Sequence, residues 1–305
     1  MKMRILVTGA SGLLGSRVVR LASEKHEVWA GYSENPVDVE GVETLRFDIT
    51  DREHVFRAVR ESEADAVIHC AAMTNVDDCE RLPEKAFAVN GFGTENMAMA
   101  AREIGAKLIY VSTDYIFDGS KQGAYSESDE VSPLSVYAKS KLRGELGARI
   151  AGNWAVARVS VLYGWNSPKQ HPNFVTWVIG KLKAGEEITL LSDQFISPTL
   201  AENAAEALLR IAEIGARGVF HVSGSSCISR LEFGRQIARE FGLDEGLISE
   251  GKSSEMKWLA KRPVNSCLSI EKAANELGVR MLSTTEGLKF MKKQLIESEA
   301  EGWTL

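Results

Sequence analysis

The chain opens with a short apolar run, Arg-Ile-Leu-Val-Thr at positions 4–8, that breaks into Gly9, Gly12 and Gly15 and then into a helical pattern from about Leu14 to Lys25. A strand that turns through closely spaced glycines directly into a helix commits this end of the chain to a βα unit. Such glycines permit a tight turn, close approach of backbone to an anion at the helix N-terminus, and close packing of helix on sheet. Their spacing of three differs from G-x-G-x-x-G, yet each position keeps one of those tasks. Short apolar runs then alternate with helical patterns: strands over 4–8, 27–32, 42–47, 66–70, 107–112 and 154–159, helices over 51–61, 83–105 and 133–150. This alternation predicts an α/β fold, a Rossmann-type doubly wound parallel sheet with ligands at the carboxyl ends of its strands. After Gly164 the regularity fails, with prolines at 168, 172 and 198. Residues 1–164 are therefore read as the dinucleotide-binding domain and 165–305 as mainly a smaller substrate lobe, with a late strand over 219–222 returning to the main sheet.

A second feature lies on the third of those helices. Tyr137 and Lys141 are four residues apart, so a helix presents them on one face, one turn from each other. A free phenol has a pKa of about 10, and a neighbouring ammonium favours its exchanging a proton near neutral pH. The strand over 107–112 leads into Ser112 and Thr113, and its hydroxyls and the helix tyrosine can converge on one carbonyl oxygen. Strand side chains alternate, so only one of the two hydroxyls faces the pocket; Ser112 is read as a local backbone cap.

Composition narrows the classes. The 305 residues are 44% apolar, enough for one large domain with a lobe, and the net charge of -6 argues against a nucleic-acid binder. The four cysteines, Cys70, Cys79, Cys227 and Cys267, are widely spaced with no C-x-x-C, so neither a metal site nor a disulfide is expected and all four are read as reduced thiols. The first strand follows Met1 almost at once and no apolar run reaches membrane-spanning length, which predicts a soluble, cytoplasmic protein without a membrane partner.

The glycine loop and the Tyr-x-x-x-Lys pair resemble the extended short-chain dehydrogenase/reductases. Ala72 to Glu80, Val111 to Gly119 (Val-Ser-Thr-Asp-Tyr-Ile-Phe-Asp-Gly), Ser192 to Thr199 and Arg262 to Leu268 resemble, within them, the dTDP-4-dehydrorhamnose reductase family. The resemblance implies a reductase of a nucleotide-linked 4-keto-6-deoxy sugar. Thr113 then holds the substrate carbonyl, Tyr137 donates the proton, and Lys141 binds the nicotinamide ribose and supports the phenol. Asn90 holds the place of an asparagine that organises a proton relay, or is simply a helix residue bonded to nearby backbone. Cofactor contacts are expected from Gly9, Ser11, Gly12, Leu13, Leu14, Arg17, Asp48, Ile49, Ala71, Ala72 and Met73, besides Tyr137 and Lys141. Substrate contacts are expected from Thr74, Asp114, Tyr115, Asn173, Phe174, Gln194 and Arg262.

Tyr32 stands where NAD-selecting relatives place an acid on the adenosine ribose, so NADP(H) is favoured with NAD(H) possible, and Ser11 and Arg17 are the expected 2′-phosphate contacts. Val161 stands where bacterial rhamnose-pathway enzymes carry Trp; Trp165 and Trp177 are read as packing the lobe unless one replaces that wall. The resemblance also implies a homodimer through the helices over 83–105 and 133–150, although the apolar residues of 96–101 fit the sheet equally well. No metal site is expected. Two other readings remain open: an epimerase or dehydratase of a nucleotide sugar, and an NADP-binding regulatory subunit resembling the methionine adenosyltransferase β subunit.

Overall fold

A computed structural model describes residues 2–37, 39–167 and 170–300; Pro168 lies outside them. The first part runs β1 (Arg4–Thr8), α1 (Leu13–Ser23), β2 (Glu27–Tyr32), β3 (Glu43–Arg46), α2 (Arg52–Ser62), β4 (Ala66–His69), α3 (Val76–Arg81), α4 (Pro83–Phe87), α5 (Gly93–Glu103), β5 (Lys107–Thr113), α6 (Val136–Ala148) and β6 (Trp154–Val159). The second runs β7 (Leu162–Tyr163), α7 (Phe174–Lys183), β8 (Ile188–Leu191), β9 (Phe195–Ile196), β10 (Thr199–Leu200), α8 (Ala201–Glu213), β11 (Gly218–His221), β12 (Ile228–Ser229), α9 (Arg230–Phe241), β13 (Ile248–Gly251), α10 (Glu271–Leu277) and α11 (Thr284–Ala300).

Seven strands form one parallel sheet in the order β11-β6-β5-β4-β1-β2-β3. The order reverses at β1 and β4, where a crevice opens at the carboxyl ends of an open α/β sheet. Register aligns Thr8 with Gly31 and His69, and Thr113 with Val159, so the strand ends sit side by side. The late strand, β11, pairs in parallel with β6. One face of the sheet packs against α1 and α8, through Val18, Val19, Leu208 and Ile211, and the other against α2 and α5, through Val55, Val59, Met97 and Ala101. Met97, Ala98, Ala100 and Ala101 are thus consumed by the chain's own core. A third core, with Val178, Leu190, Phe233 and Met291 among its buried residues, builds the lobe from α7, α9, α11 and β8.

Two departures from the sequence expectation matter for the site. The helix expected over 83–105 is broken by a π-helical turn, Ala88–Phe92, between α4 and α5. Such turns leave a ladder irregularity that sequence periodicity does not display. The second departure corrects the reading of four reduced thiols: Cys227 and Cys267 form a disulfide, with Cα atoms 5.4 Å apart across a sequence separation of 40. Their meeting follows from β9, which takes β12 (Ile228 against Ile196) on one side and a bridge from Phe195 to Asn265 on the other. Spacing along the chain carries no trace of that arrangement. Cys70 and Cys79 are free thiols.

A loop closed over that separation loses roughly 3–4 kcal/mol of unfolded-state entropy in the chain-entropy account. Denaturant unfolding of the oxidised protein is expected to need correspondingly more urea than that of the Cys227→Ser variant. Coincident curves would show that the bond contributes nothing.

Candidate active site

The glycine loop is built as its sequence suggests, with each contact explained by a missing side chain. Gly9 has φ +64, and a Cβ there would lie 2.7 Å from the Ala71 nitrogen; a Cβ on Gly15 would lie 2.1 Å from the Gly9 oxygen. Gly12 caps α1 without a side-chain hydrogen bond, so the N–H groups of the first turn are left for an anion. Above this loop lies a cavity of about 960 Å³ that runs along the strand ends. Its size and its cradle of close glycines fit a dinucleotide. Gly9, Ser11, Gly12, Leu13, Leu14, Asp48, Ile49, Ala71, Ala72 and Met73 all line it, and so do Thr113, Tyr137 and Lys141.

Arg17 is the correction. Its Nε donates to Glu202 Oε1 at 2.8 Å and a terminal nitrogen donates to the Trp165 carbonyl at 2.5 Å, so the guanidinium is committed to α8 and the lobe, and the residue does not line the cavity. The partly buried Glu202 carboxylate thus takes the guanidinium that a phosphate contact would need. The cavity wall beyond Tyr32 is instead lined by Ser33, Glu34 and Asn35.

The chemistry-bearing groups gather where β5 ends against α6, whose N-cap Ser135 accepts from the Ala138 N–H. Lys141 is buried; its Nζ donates to the Val111 carbonyl at 2.7 Å and lies 4.3 Å from the Tyr110 ring centroid. Burial pushes its pKa down to about 7, while the nearby Glu145 carboxylate works the other way. Tyr137 packs edge-on against Tyr115, with centroids 6.2 Å apart. Burial raises the phenol well above its ordinary value, with the Thr113 hydroxyl opposing the shift. The four-residue spacing alone favours Lys141 acidifying the phenol; in the structure desolvation wins, and Tyr137 is held protonated. Thr113 Oγ1 donates to Asp114 Oδ1 at 3.0 Å, and Ser160 donates to Asp114 Oδ2 at 2.7 Å. Burial raises the Asp114 carboxyl, against the hydrogen bonds it accepts.

Ser112 is not a backbone cap: its hydroxyl donates to Glu145 Oε1 at 2.6 Å. Asn90 sits in the π-helical turn, accepting from the Met73 N–H at 2.8 Å and donating to the Met73 carbonyl and Ser140 Oγ at 3.0 and 2.9 Å. It therefore pins the cavity wall at Met73 to α6. His69, the last residue of β4, has Nδ1 2.6 Å from Thr8 Oγ1 and Nε2 3.3 Å from Thr94 Oγ1, contacts that its sequence neighbours do not foretell.

Of the expected substrate contacts, Thr74 and Asp114 line the cavity, whereas Tyr115, Asn173, Phe174, Gln194 and Arg262 do not. Asn173 caps α7 and donates to the Gly164 carbonyl; Phe174 stacks on Phe233. Gln194 is buried between the Pro263 carbonyl and Arg230. Arg262 pairs with Asp77 at 2.9 Å and stacks 4.2 Å from the Trp258 centroid. Trp165 packs on Phe241 and Trp177 on Phe174, so both belong to the lobe's packing. Val161 does line the cavity, with φ 38, a left-handed conformation that a β-branched residue rarely adopts. No group of metal-ligating side chains occurs among the described residues, nor does a helix long and apolar enough to cross a membrane.

A doubly wound sheet with a glycine-loop cavity and a Thr-Tyr-Lys cluster defines the dinucleotide-dependent class to which comparison with known proteins gives a family. Residues 3–296 match the RmlD substrate binding domain family, and the chain belongs to it. It is 38% identical over 280 residues, 90% of this chain and 93% of the relative, to the probable low-salt glycan biosynthesis reductase Agl14 of Haloferax volcanii. It is 36% identical to a dTDP-4-dehydrorhamnose reductase of Mycobacterium tuberculosis, over 87% of this chain and 84% of the relative. Among solved structures, a dTDP-4-dehydrorhamnose reductase of Bacillus anthracis in complex with NADP superposes with TM-score 0.86 at 29% identity, covering 96% of this chain and all (100%) of that one.

His69 and His221 are both buried, and burial pushes each down to about 3, helped by Lys141 and Arg158 respectively. Unfolded histidine titrates near 6.5, so between about 6.5 and about 3 the unfolded chain binds protons that the folded chain refuses. Stability is therefore expected to fall as pH drops through that window. Thermal melts of wild type and His69→Gln should show a shallower acid decline in the variant; parallel declines would contradict this assignment.

Proposed function

We propose that the protein reduces the 4-keto group of a nucleotide-linked 6-deoxy sugar, dTDP-4-dehydrorhamnose or a close analogue, with reduced nicotinamide dinucleotide as hydride donor. The observation that carries this reading is the convergence of Thr113, Tyr137 and Lys141 on the floor of the glycine-loop cavity. The family and the names of its similar members support the substrate class. The B. anthracis relative in complex with NADP supports the cofactor class.

A bound reduced cofactor supplies the hydride. Tyr137, kept protonated by its burial, gives its proton to the sugar oxygen as that oxygen becomes an alkoxide. Lys141 places positive charge beside the phenolate left behind, and its own carbonyl partner Val111 fixes where that charge sits. Thr113 turns its hydroxyl from Asp114 to the substrate oxygen, and Asp114 stays bonded to Ser160. Arg262 has the guanidinium fork suited to pyrophosphate oxygens, but it lies outside the cavity lining and reaches them only by leaving Asp77. Thr74 and Asp114, which line the cavity, complete the substrate side. NADP(H) is favoured over NAD(H) because β2 ends in Tyr32 rather than an acid; with Arg17 engaged elsewhere the preference is small.

The chain works as a homodimer through the helical segment 83–105 and α6, where Phe92 of the π-helical turn and Leu146 of α6 remain half exposed after the core is filled. We place the reaction in the cytoplasm, where nucleotide sugars and reduced nicotinamide are made.

Purified protein offered dTDP-4-keto-6-deoxy sugar should consume NADPH faster than NADH. Tyr137→Phe should lose about 10²–10⁴-fold in kcat while binding NADPH as wild type does. Wild-type rates in Tyr137→Phe would remove the tyrosine from the chemistry, and no consumption by a wild-type protein that binds NADPH would favour a regulatory role.

A further inference from the structure

Helix α6 carries a third residue on the face of Tyr137 and Lys141: Glu145, one further turn along. It is 1% exposed and has no part in the chemistry above. Its Oε1 accepts from Ser112 Oγ at 2.6 Å and from Arg158 Nε at 3.0 Å, and its Oε2 accepts from a terminal nitrogen of Arg158 at 2.9 Å. The other terminal nitrogen of Arg158 lies 3.4 Å from His221 Nε2, and His221 Nδ1 lies 3.1 Å from the Tyr125 carbonyl. One tautomer satisfies both contacts: Nδ1–H donates to Tyr125 and Nε2 accepts from Arg158. Both carboxylate oxygens and both edges of the guanidinium are therefore fixed.

Ser112 lies between the two strand residues that matter to the reaction. Val111 gives its carbonyl to Lys141, and Thr113 turns its side chain to the opposite side of β5, toward Asp114 and the cavity. Tying Ser112 to α6 thus fixes both neighbours. The groups around Lys141 are His69 and Cys70 at the end of β4, Cys79 on α3, Tyr110 on β5, and Tyr137 and Glu145 on its own helix. His69 is neutral, and burial pushes Cys70 up to about 12 and Cys79 up to about 11, so neither thiol is ionised near neutral pH. Both tyrosines are raised as well, and Asp114 lies on the side of Thr113. Glu145, paired with Arg158, is thus the carboxylate acting on Lys141 among these groups.

We propose that Glu145 is a positioning residue for the Tyr137–Lys141 pair: held by Ser112 and Arg158, its carboxylate keeps Lys141 an ammonium during turnover and fixes residues 111–113 against α6. The proposal rests on the reductase reading above.

The test is the pH profile of kcat for wild type, Glu145→Gln, Glu145→Asp and the double variant Glu145→Gln/Arg158→Gln. Lys141 loses its charge as pH rises through its depressed pKa, so the wild-type profile declines on the alkaline side from about pH 7. Removing the carboxylate is expected to move that limb to lower pH by roughly one unit. The shift lowers activity most at and above neutrality and least in acid. Glu145→Asp keeps the charge and should keep the limb in place, even with a lower kcat. The double variant leaves no unpaired buried charge, so it folds if the single one does not, and should show the acid shift too. A limb that stays put in both, with kcat scaled evenly across pH, overturns the proposal by making Glu145 merely structural. Absence of wild-type turnover overturns the reductase reading and the proposal together; wild-type turnover with an unmoved limb overturns the proposal alone.

Discussion

One buried cation organises this molecule. Lys141 is 3% exposed at the carboxyl edge of the sheet, and an ammonium in that position must be compensated at short range. The compensation is the Val111 carbonyl, the face of Tyr110 and the Glu145 carboxylate, which belong to β5 and α6. Bringing those two elements close enough restricts the sequence between them. At Gly144 a Cβ would sit 2.3 Å from the Tyr110 hydroxyl and 2.4 Å from the Asn90 carbonyl, so the helix approaches only because that side chain is absent. The Asn90 carbonyl is at that point because the α4 to α5 segment carries its π-helical turn, and the same turn sends the Asn90 side chain to Met73 and Ser140. Placement of Lys141, the cavity wall and Tyr137 is thus one packing problem.

Much of this was legible in the sequence, because the signals were local. β1, β2 and β6 have the bounds that their apolar runs predicted, and the glycine loop has the contacts that its glycines imply. The Tyr137 and Lys141 spacing reads directly as one helix face. What was not legible depended on partners far along the chain. Arg17 looked like a phosphate ligand because it follows the loop, but Glu202, 185 residues later, claims it. Cys227 and Cys267 looked unrelated because only β9 brings them together. Ser112 reads as a backbone cap because its carboxylate partner, Glu145, lies on another element. Tyr137 was expected to be made acidic by Lys141, whereas burial acts on both groups and is the larger effect.

The lobe is fastened to the loop rather than hung beside it. Gln170 donates to the Ser11 carbonyl at 2.6 Å, and Arg17 ties α1 to Trp165 and to Glu202 of α8. The disulfide adds a second fastening between the chain entering β12 and the segment that follows Arg262. The glycine loop and the lobe are therefore joined by direct hydrogen bonds and an ion pair.

The measurement that tests the central claim most directly is isotope transfer from NADPH carrying deuterium at both C4 positions of the nicotinamide to dTDP-4-keto-6-deoxy sugar. Deuterium bound to C4 of the product sugar, with one cofactor oxidised per sugar reduced, is the predicted result. Product formed without net oxidation of cofactor, or deuterium absent from the sugar, would contradict a reductase and point to isomerisation on a retained dinucleotide.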